Sequence, residues 1–259
     1  MKSLLALIVI VSIVACGDKA KAPVNMKGAY YMTRQVINDG SKDSVIDRKQ
    51  LKIYTDKYMM FATPNLTDSF ATFGIAEYTI DGDKLYEHIF YRAVEGEEKD
   101  TATLSIEKTD KGYIQVIDNI LFNGKPVKLT EEYETINRPQ NSPLDGAWKQ
   151  IKNIFVNQKG DSSVNETPLE YKTYESGYFI WAITTKDSAN NKTSVFGYGP
   201  FEMIAENKSK ETIQNSTFVS SLIGRTYEVD IEYDGTDTYK QTITFANGEK
   251  SIEVYQKLK

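Results

Sequence analysis

The chain has 259 residues and a formal net charge of −5, with 31 Lys and Arg set against 36 Asp and Glu. No basic run or stripe interrupts that balance, which excludes a nucleic-acid-binding surface on electrostatic grounds. One cysteine excludes an internal disulfide, and one histidine leaves no His/Cys cluster with the spacing of a zinc site, so neither a metal nor a cofactor is expected.

In chain order, the first element is MKSLLALIVIVSIVAC. A single lysine, an apolar run from Leu4 to Val14 and a small-residue exit predict a cleaved signal peptide over 1–15. The run is shorter than the roughly 20 apolar residues of a membrane-spanning helix. Ile13-Val14-Ala15-Cys16 resembles the bacterial lipobox. That resemblance implies lipidation of the Cys16 thiol, with several acyl chains giving a stable membrane anchor. Gly17, where an Asp would signal inner-membrane retention, implies by the same resemblance the outer membrane of a bacterial envelope. Residues 16–25 then form a polar tether reaching at most ~30 Å.

From residue 26 onward the pattern is β. LKIYTDKYMMFAT, SFATFGIAEYTIDGDKLYEHIFYRAV and TYEVDIEYDGTDTYKQTITFANGEKSIEVYQKL are rich in β-branched and aromatic residues. Asp81-Gly82, Asn123-Gly124, Asp234-Gly235 and Asn247-Gly248 supply the positive φ of tight hairpins. Tyr227 to Tyr233 alternates apolar and polar, as a strand with one buried face does. Up to about eight short strands fall in each half, the count of a barrel or a sandwich.

The two halves are copies. GAYYM at 28–32 matches GAWKQ at 146–150, and LKIYTDKYMMFA at 51–62 matches YKTYESGYFIWA at 171–182. FGIAEY at 73–78 matches FGYGPF at 196–201, YEHI at 86–89 matches KETI at 210–213, and Glu131-x-Tyr133 matches Glu253-x-Tyr255. These landmarks keep one order at offsets of 118 to 124 residues, far longer than a solenoid repeat of roughly 20–50. Each copy is therefore a domain with its own core: domain 1 over 26–138 and domain 2 over 144–259, joined by a linker at 139–143 in a proline-bounded stretch.

Gly146-Ala147-Trp148, with Gly28-Ala29-Tyr30 as its variant, is similar to the Gly-x-Trp that opens the first strand of lipocalins and their calycin relatives. The order of motifs, twice over, resembles lipocalin-like lipoproteins of Bacteroidetes-type bacteria. The resemblance implies an all-β fold of two tandem lipocalin-like, antiparallel up-and-down β-barrels. It makes Trp148 and Tyr30 plugs of the closed ends and sets Lys257 across the Trp148 ring. The corresponding place in the first copy is Thr135, with Arg138 nearby, so that part of the pattern is incomplete there. An immunoglobulin-like sandwich is the alternative, disfavoured because no Cys…Trp…Cys framework exists.

Little in the sequence points to catalysis, and no enzyme activity is expected. His88 stands where the second copy has Thr212, and a lone strand histidine is more often a hydrogen-bonded wall residue than a nucleophile's base or a haem ligand. Glu87 with Glu131, and Glu211 with Glu253, could share a barrel interior and do acid–base work; outward or Lys/Arg-paired glutamates are the plainer alternative. Five Asn-x-Ser/Thr triplets, at Asn65, Asn165, Asn191, Asn207 and Asn215, read as a polar surface. Barrels of this size either fill with side chains or hold one small ligand, and aromatics at paired positions favour filling. A hollow barrel would be lined by Tyr58, Phe61, Tyr178 and Trp181, with His88, Arg92 or Arg225 at a mouth, and would suit a small apolar or amphipathic ligand. Non-enzymatic ligand binding by a lipid-anchored protein is the expected function. A structural subunit docking an envelope protein partner, and an isomerase- or cyclase-type enzyme, remain as alternatives.

Overall fold

A computed structural model of the chain describes residues 24–64, 73–93, 100–122, 124–136, 138 and 141–259. The expected signal peptide, Cys16 and most of the expected tether lie outside the described residues.

The first half contains β1 (Gly28–Asn38), β2 (Asp43–Ile46), β3 (Leu51–Tyr54), β4 (Tyr58–Ala62), β5 (Phe73–Asp81), β6 (Lys84–Arg92), β7 (Asp100–Lys108), β8 (Gly112–Phe122) and β9 (Lys125–Thr135). One edge of β1 pairs with β9; the other pairs first with β3 and then with β2, which together act as one interrupted strand. Consecutive antiparallel hairpins lead from β3 to β9, and β9 returns to β1, closing an eight-stranded up-and-down barrel.

The second half repeats the plan. It contains β10 (Gly146–Val156), β11 (Ser162–Asn165), β12 (Leu169–Glu175), β13 (Tyr178–Lys186), β14 (Lys192–Ala205), β15 (Lys208–Thr212), β16 (Asn215–Ser216), β17 (Thr226–Tyr233), β18 (Thr238–Thr244) and β19 (Lys250–Lys257). Here β10 pairs with β11, β12 and β19, and closure is again between first and last strands. Even the irregularities repeat: the β1–β9 ladder slips between Met32 and Arg34, and the β10–β19 ladder slips at the equivalent Gln150 and Lys152.

The barrels pack against each other through equivalent strands. Parity on β3 and β4 sends Lys52, Tyr54, Met59 and Phe61 inward, and Leu51, Ile53, Met60 and Ala62 outward. The outward set joins Ala147, Tyr171, Ile180, Ala182, Phe196 and Tyr198 of the second half in one shared cluster. Phe73 meets Phe196, its own repeat counterpart, with ring centroids 6.3 Å apart. A residue touching its counterpart is the mark of a two-fold, isologous contact, here built within one chain. This explains the unbroken apolar runs YMMFA and YFIWA: both faces of those strands are buried, so alternation is lost.

Candidate functional site

Both barrels are closed at one end by the same device. Gly28 and Gly146 have φ of 144° and 140°, a backbone region that L side chains rarely enter, and a Cβ on Gly146 would fall 2.7 Å from Lys257 Cε. The chain thus bends under the ring two residues on. Trp148 is fully buried and its Nε1–H donates to the Leu144 carbonyl at 2.7 Å; Tyr30 is 2 % exposed and its hydroxyl donates to the Met26 carbonyl at 2.8 Å. Lys257, register partner of Trp148, places Nζ 5.2 Å from the indole and donates to the Asp145 carbonyl. In the first barrel the cation over Tyr30 comes from another strand, as Lys108 Nζ at 5.8 Å, and not from Thr135 or Arg138.

Above each plug lies a buried polar layer. In the first barrel Lys52 Nζ and Glu87 Oε1 pair at 2.6 Å, and the Tyr54 hydroxyl donates to the same carboxylate at 2.9 Å. Glu131 receives Gln35 Nε2 at 2.6 Å, the Tyr133 hydroxyl at 2.9 Å and Gln115 Nε2 at 2.5 Å. Lys52 also donates to Gln115 Oε1, which joins the two halves of the layer. The second barrel reproduces the design with Lys172–Glu211 at 2.8 Å, the Tyr174 hydroxyl on Glu211, and Gln241 and Tyr255 on Glu253. Tyr113 stacks on Tyr133 at 4.7 Å and Tyr239 on Tyr255 at 4.8 Å. Burial holds the Tyr54, Tyr113 and Tyr133 hydroxyls well above the ordinary tyrosine value, so they stay protonated, and Tyr54 and Tyr133 donate.

The two layers differ at the residue two before the paired lysine. Gln50 in the first barrel donates to the Tyr133 hydroxyl at 2.6 Å; its counterpart is Glu170, 2.6 Å from the Tyr255 hydroxyl. Burial, then the nearby Glu253 charge, pushes the Glu170 carboxyl up to about 8. The Tyr255 hydroxyl has one proton to give and lies within hydrogen-bond distance of both Glu170 and Glu253; a Glu170 that keeps its proton can donate to the Tyr255 oxygen while the hydroxyl donates to Glu253.

The first barrel is hollow above its polar layer. A cavity of about 730 Å³ has Lys52, Glu87, Gln115 and Glu131 as its floor and Phe61, Ile89, Ile117 and Leu129 on its walls. Arg48, Arg92, Asp118 and Asn119 also line it, with Leu121 at the rim. Phe61 can lie along the wall because its β5 partner is Gly74, where a Cβ would come within 2.6 Å of the ring. Trp181 lies over Gly197 in the same way and meets Phe218 edge-on at 6.3 Å. Thus the repeated Phe-Gly pair serves two faces, with the phenylalanine in the inter-barrel contact and the glycine under an inward ring.

Among the residues expected to line a barrel, Phe61 and Arg92 border the cavity, and Trp181 packs against the core of the second barrel. Four others are corrected. Tyr58 and Tyr178 point outward into the inter-barrel contact, Tyr58 against Phe90 and the Lys259 carbonyl, Tyr178 against Tyr31. His88 is on the outer surface beside Thr101, because Glu87 and Ile89 take the inward parity of β6. Arg225 is exposed beyond the short 3-10 turn Ser220–Leu222, its Nε donating to the Ser221 carbonyl. The glutamates expected as possible acid–base pairs do share their interiors, but Glu87 and Glu211 are lysine-paired there. Sequence reasoning passed over Lys52, Gln35, Gln50 and Gln115. The available signal was a lysine at one place in both copies, in LKIY and YKTY, two residues before an inward tyrosine. Among the described residues no three His, Cys, Asp or Glu side chains converge as metal ligands.

No protein-family model matches the sequence, and no curated protein matches it. Solved structures similar to the chain include a lipocalin-like protein from Bacteroides uniformis, 14 % identical over 45 % of this chain and all of that one, with a TM-score of 0.30. A candidate outer membrane protein from Bacteroides fragilis is 11 % identical over 90 % of this chain and 98 % of its own, with a TM-score of 0.28. Transferrin binding protein B from Neisseria meningitidis is 8 % identical over 86 % of this chain and 60 % of its own, with a TM-score of 0.26.

Proposed function

We propose that this chain is a lipid-anchored binding protein of the bacterial envelope, not an enzyme, and that its first barrel takes up a small amphipathic ligand. The cavity carries the proposal: about 730 Å³ is within the size of small-molecule sites, roughly 300–1,000 Å³, and its floor is polar while its walls are apolar. A purely apolar ligand would cover the Lys52–Glu87 layer without replacing any hydrogen bond, which costs free energy. The non-catalytic reading is supported by how the interior acids are engaged. Glu87 is held by Lys52 and Tyr54, Glu131 by three donors, and the acid with the most raised value, Glu170, lies in the other barrel. The anchor rests on Ile13 to Cys16.

Native mass spectrometry of the protein extracted from its own membrane tests ligand uptake. A bound small molecule is expected in the wild-type chain and none in Ala102→Trp, whose indole would occupy the cavity. Equal occupancy in both, or none in either, overturns the reading. Cys16→Ser should move the chain from the membrane to the soluble fraction; continued sedimentation with membranes removes the anchor.

A further inference from the structure

The polar layer of the first barrel also bears on the chemistry of what enters. Gln35 is 1 % exposed and borders the cavity. Its Nε2 is fixed on Glu131 Oε1 at 2.6 Å; reversing the amide would set two oxygens against each other, so the orientation is determined by its partner. That leaves Gln35 Oε1, a buried acceptor with no hydrogen-bond partner among the described residues. Its neighbours on the floor are already matched: Lys52 donates to Glu87 and Gln115, and both oxygens of Glu131 are occupied. The equivalent residue of the second barrel, Asn153 opposite Glu253, is only half-buried and donates to Ser251 Oγ at 3.2 Å. The second barrel has a buried amide oxygen without a partner too, Gln150 Oε1, but at a different strand position; at the place opposite the repeated glutamate only the first barrel has one.

Charge points the same way. The cavity is lined by Arg48, Lys52 and Arg92 and by Glu87, Asp118 and Glu131, three charges of each sign. The charge count favours neither an anionic nor a cationic head, and an ionised carboxylate at the floor would meet Glu131 as well as Gln35. We infer that the deep end of the cavity accepts a neutral, hydroxyl-bearing head group, such as the sugar of an alkyl glycoside. Gln35 Oε1 is covered in the structure, so the cavity wall parts slightly as the head group enters; the hydroxyl then donates to Oε1 while the tail runs outward along Ile89, Ile117 and Leu129. This inference rests on the proposed uptake of an amphipathic ligand and adds its head-group class and its direction of entry, head inward.

The experiment uses the chain from Val24 onward, which holds both barrels, with three probes of one tail length: n-octyl glucoside, octanoate and octylammonium. Calorimetric titration below micelle-forming concentrations should give at least about tenfold tighter binding of the glucoside, the worth of one buried hydrogen bond. Gln35→Met should erase that margin, and Asn153→Ala should leave it. Tighter binding of octanoate or octylammonium overturns the head-group assignment while leaving ligand uptake standing. Loss of all three from wild type, with Ala102→Trp indistinguishable, overturns uptake and the inference with it. The wild-type ranking decides the question even if Gln35→Met does not fold.

Discussion

Replacing Glu170 by Gln should stabilise the second barrel, and only above mildly acidic pH. Glu170 is 8 % exposed, and its carboxyl is raised from an ordinary 4.5 to about 8 by burial and by Glu253. An acid whose folded value lies above its unfolded value keeps its proton in the native state while the unfolded chain releases it. Folding stability is then intact below about pH 4.5, falls as pH rises, and levels off above about pH 8. At about 1.4 kcal/mol for each pH unit, the loss by pH 7 is about 3 kcal/mol. The amide cannot ionise, and Gln50 in the first barrel already shows an amide donating to the matching tyrosine hydroxyl. The assay is urea unfolding followed by tryptophan emission, since both tryptophans, Trp148 and Trp181, are in the second barrel. E170Q and wild type should agree within about 1 kcal/mol near pH 4.5 and diverge by about 3 kcal/mol at pH 7 and about 4 kcal/mol at pH 8. Parallel curves, or a wild type more stable at pH 8, would mean that Glu170 is ionised in the fold.

Three further outcomes follow from the geometry. Lys52→Met leaves Glu87 buried without its cation and should cost about 3–5 kcal/mol in denaturant unfolding, whereas Lys52→Met with Glu87→Leu should recover most of that loss. Gly74→Ala places a methyl within 2.6 Å of the Phe61 ring; it should lower the melting temperature clearly, and adding Phe61→Leu should restore part of it. Phe73→Ala and Phe196→Ala should each destabilise the inter-barrel contact by about 3 kcal/mol, and the double variant should fall short of their sum by about 0.5–1.5 kcal/mol because the rings touch. Full additivity would show that Phe73 and Phe196 do not pack on each other.

Strand content, duplication and the burial of Tyr30 and Trp148 were legible because each depends on local chemistry or on matching pairs of residues. The turn pairs Asp81-Gly82 and Asp234-Gly235 fix hairpins within a few residues, and GAYYM against GAWKQ marks corresponding strands without any knowledge of what surrounds them. The lining was less legible. Parity within LKIY and YMMFA is readable only when one face is polar, and here the outer face is covered by the other barrel. Aromatics at Tyr58 and Tyr178 looked like interior residues for that reason, while the true interior carried Lys52 and Gln115, residue types that a sequence alone assigns to solvent.

The sequence by itself therefore determined an all-β chain built from two copies of one unit, each opening on a glycine beneath a large ring. Only the tertiary structure decided which side of each strand faces inward, because that follows from barrel closure and from the two-fold packing of β3 to β5 on β12 to β14. It also decided that the first copy is hollow over a polar floor. That property arises where side chains from six or more strands converge, and no stretch of contiguous residues encodes it.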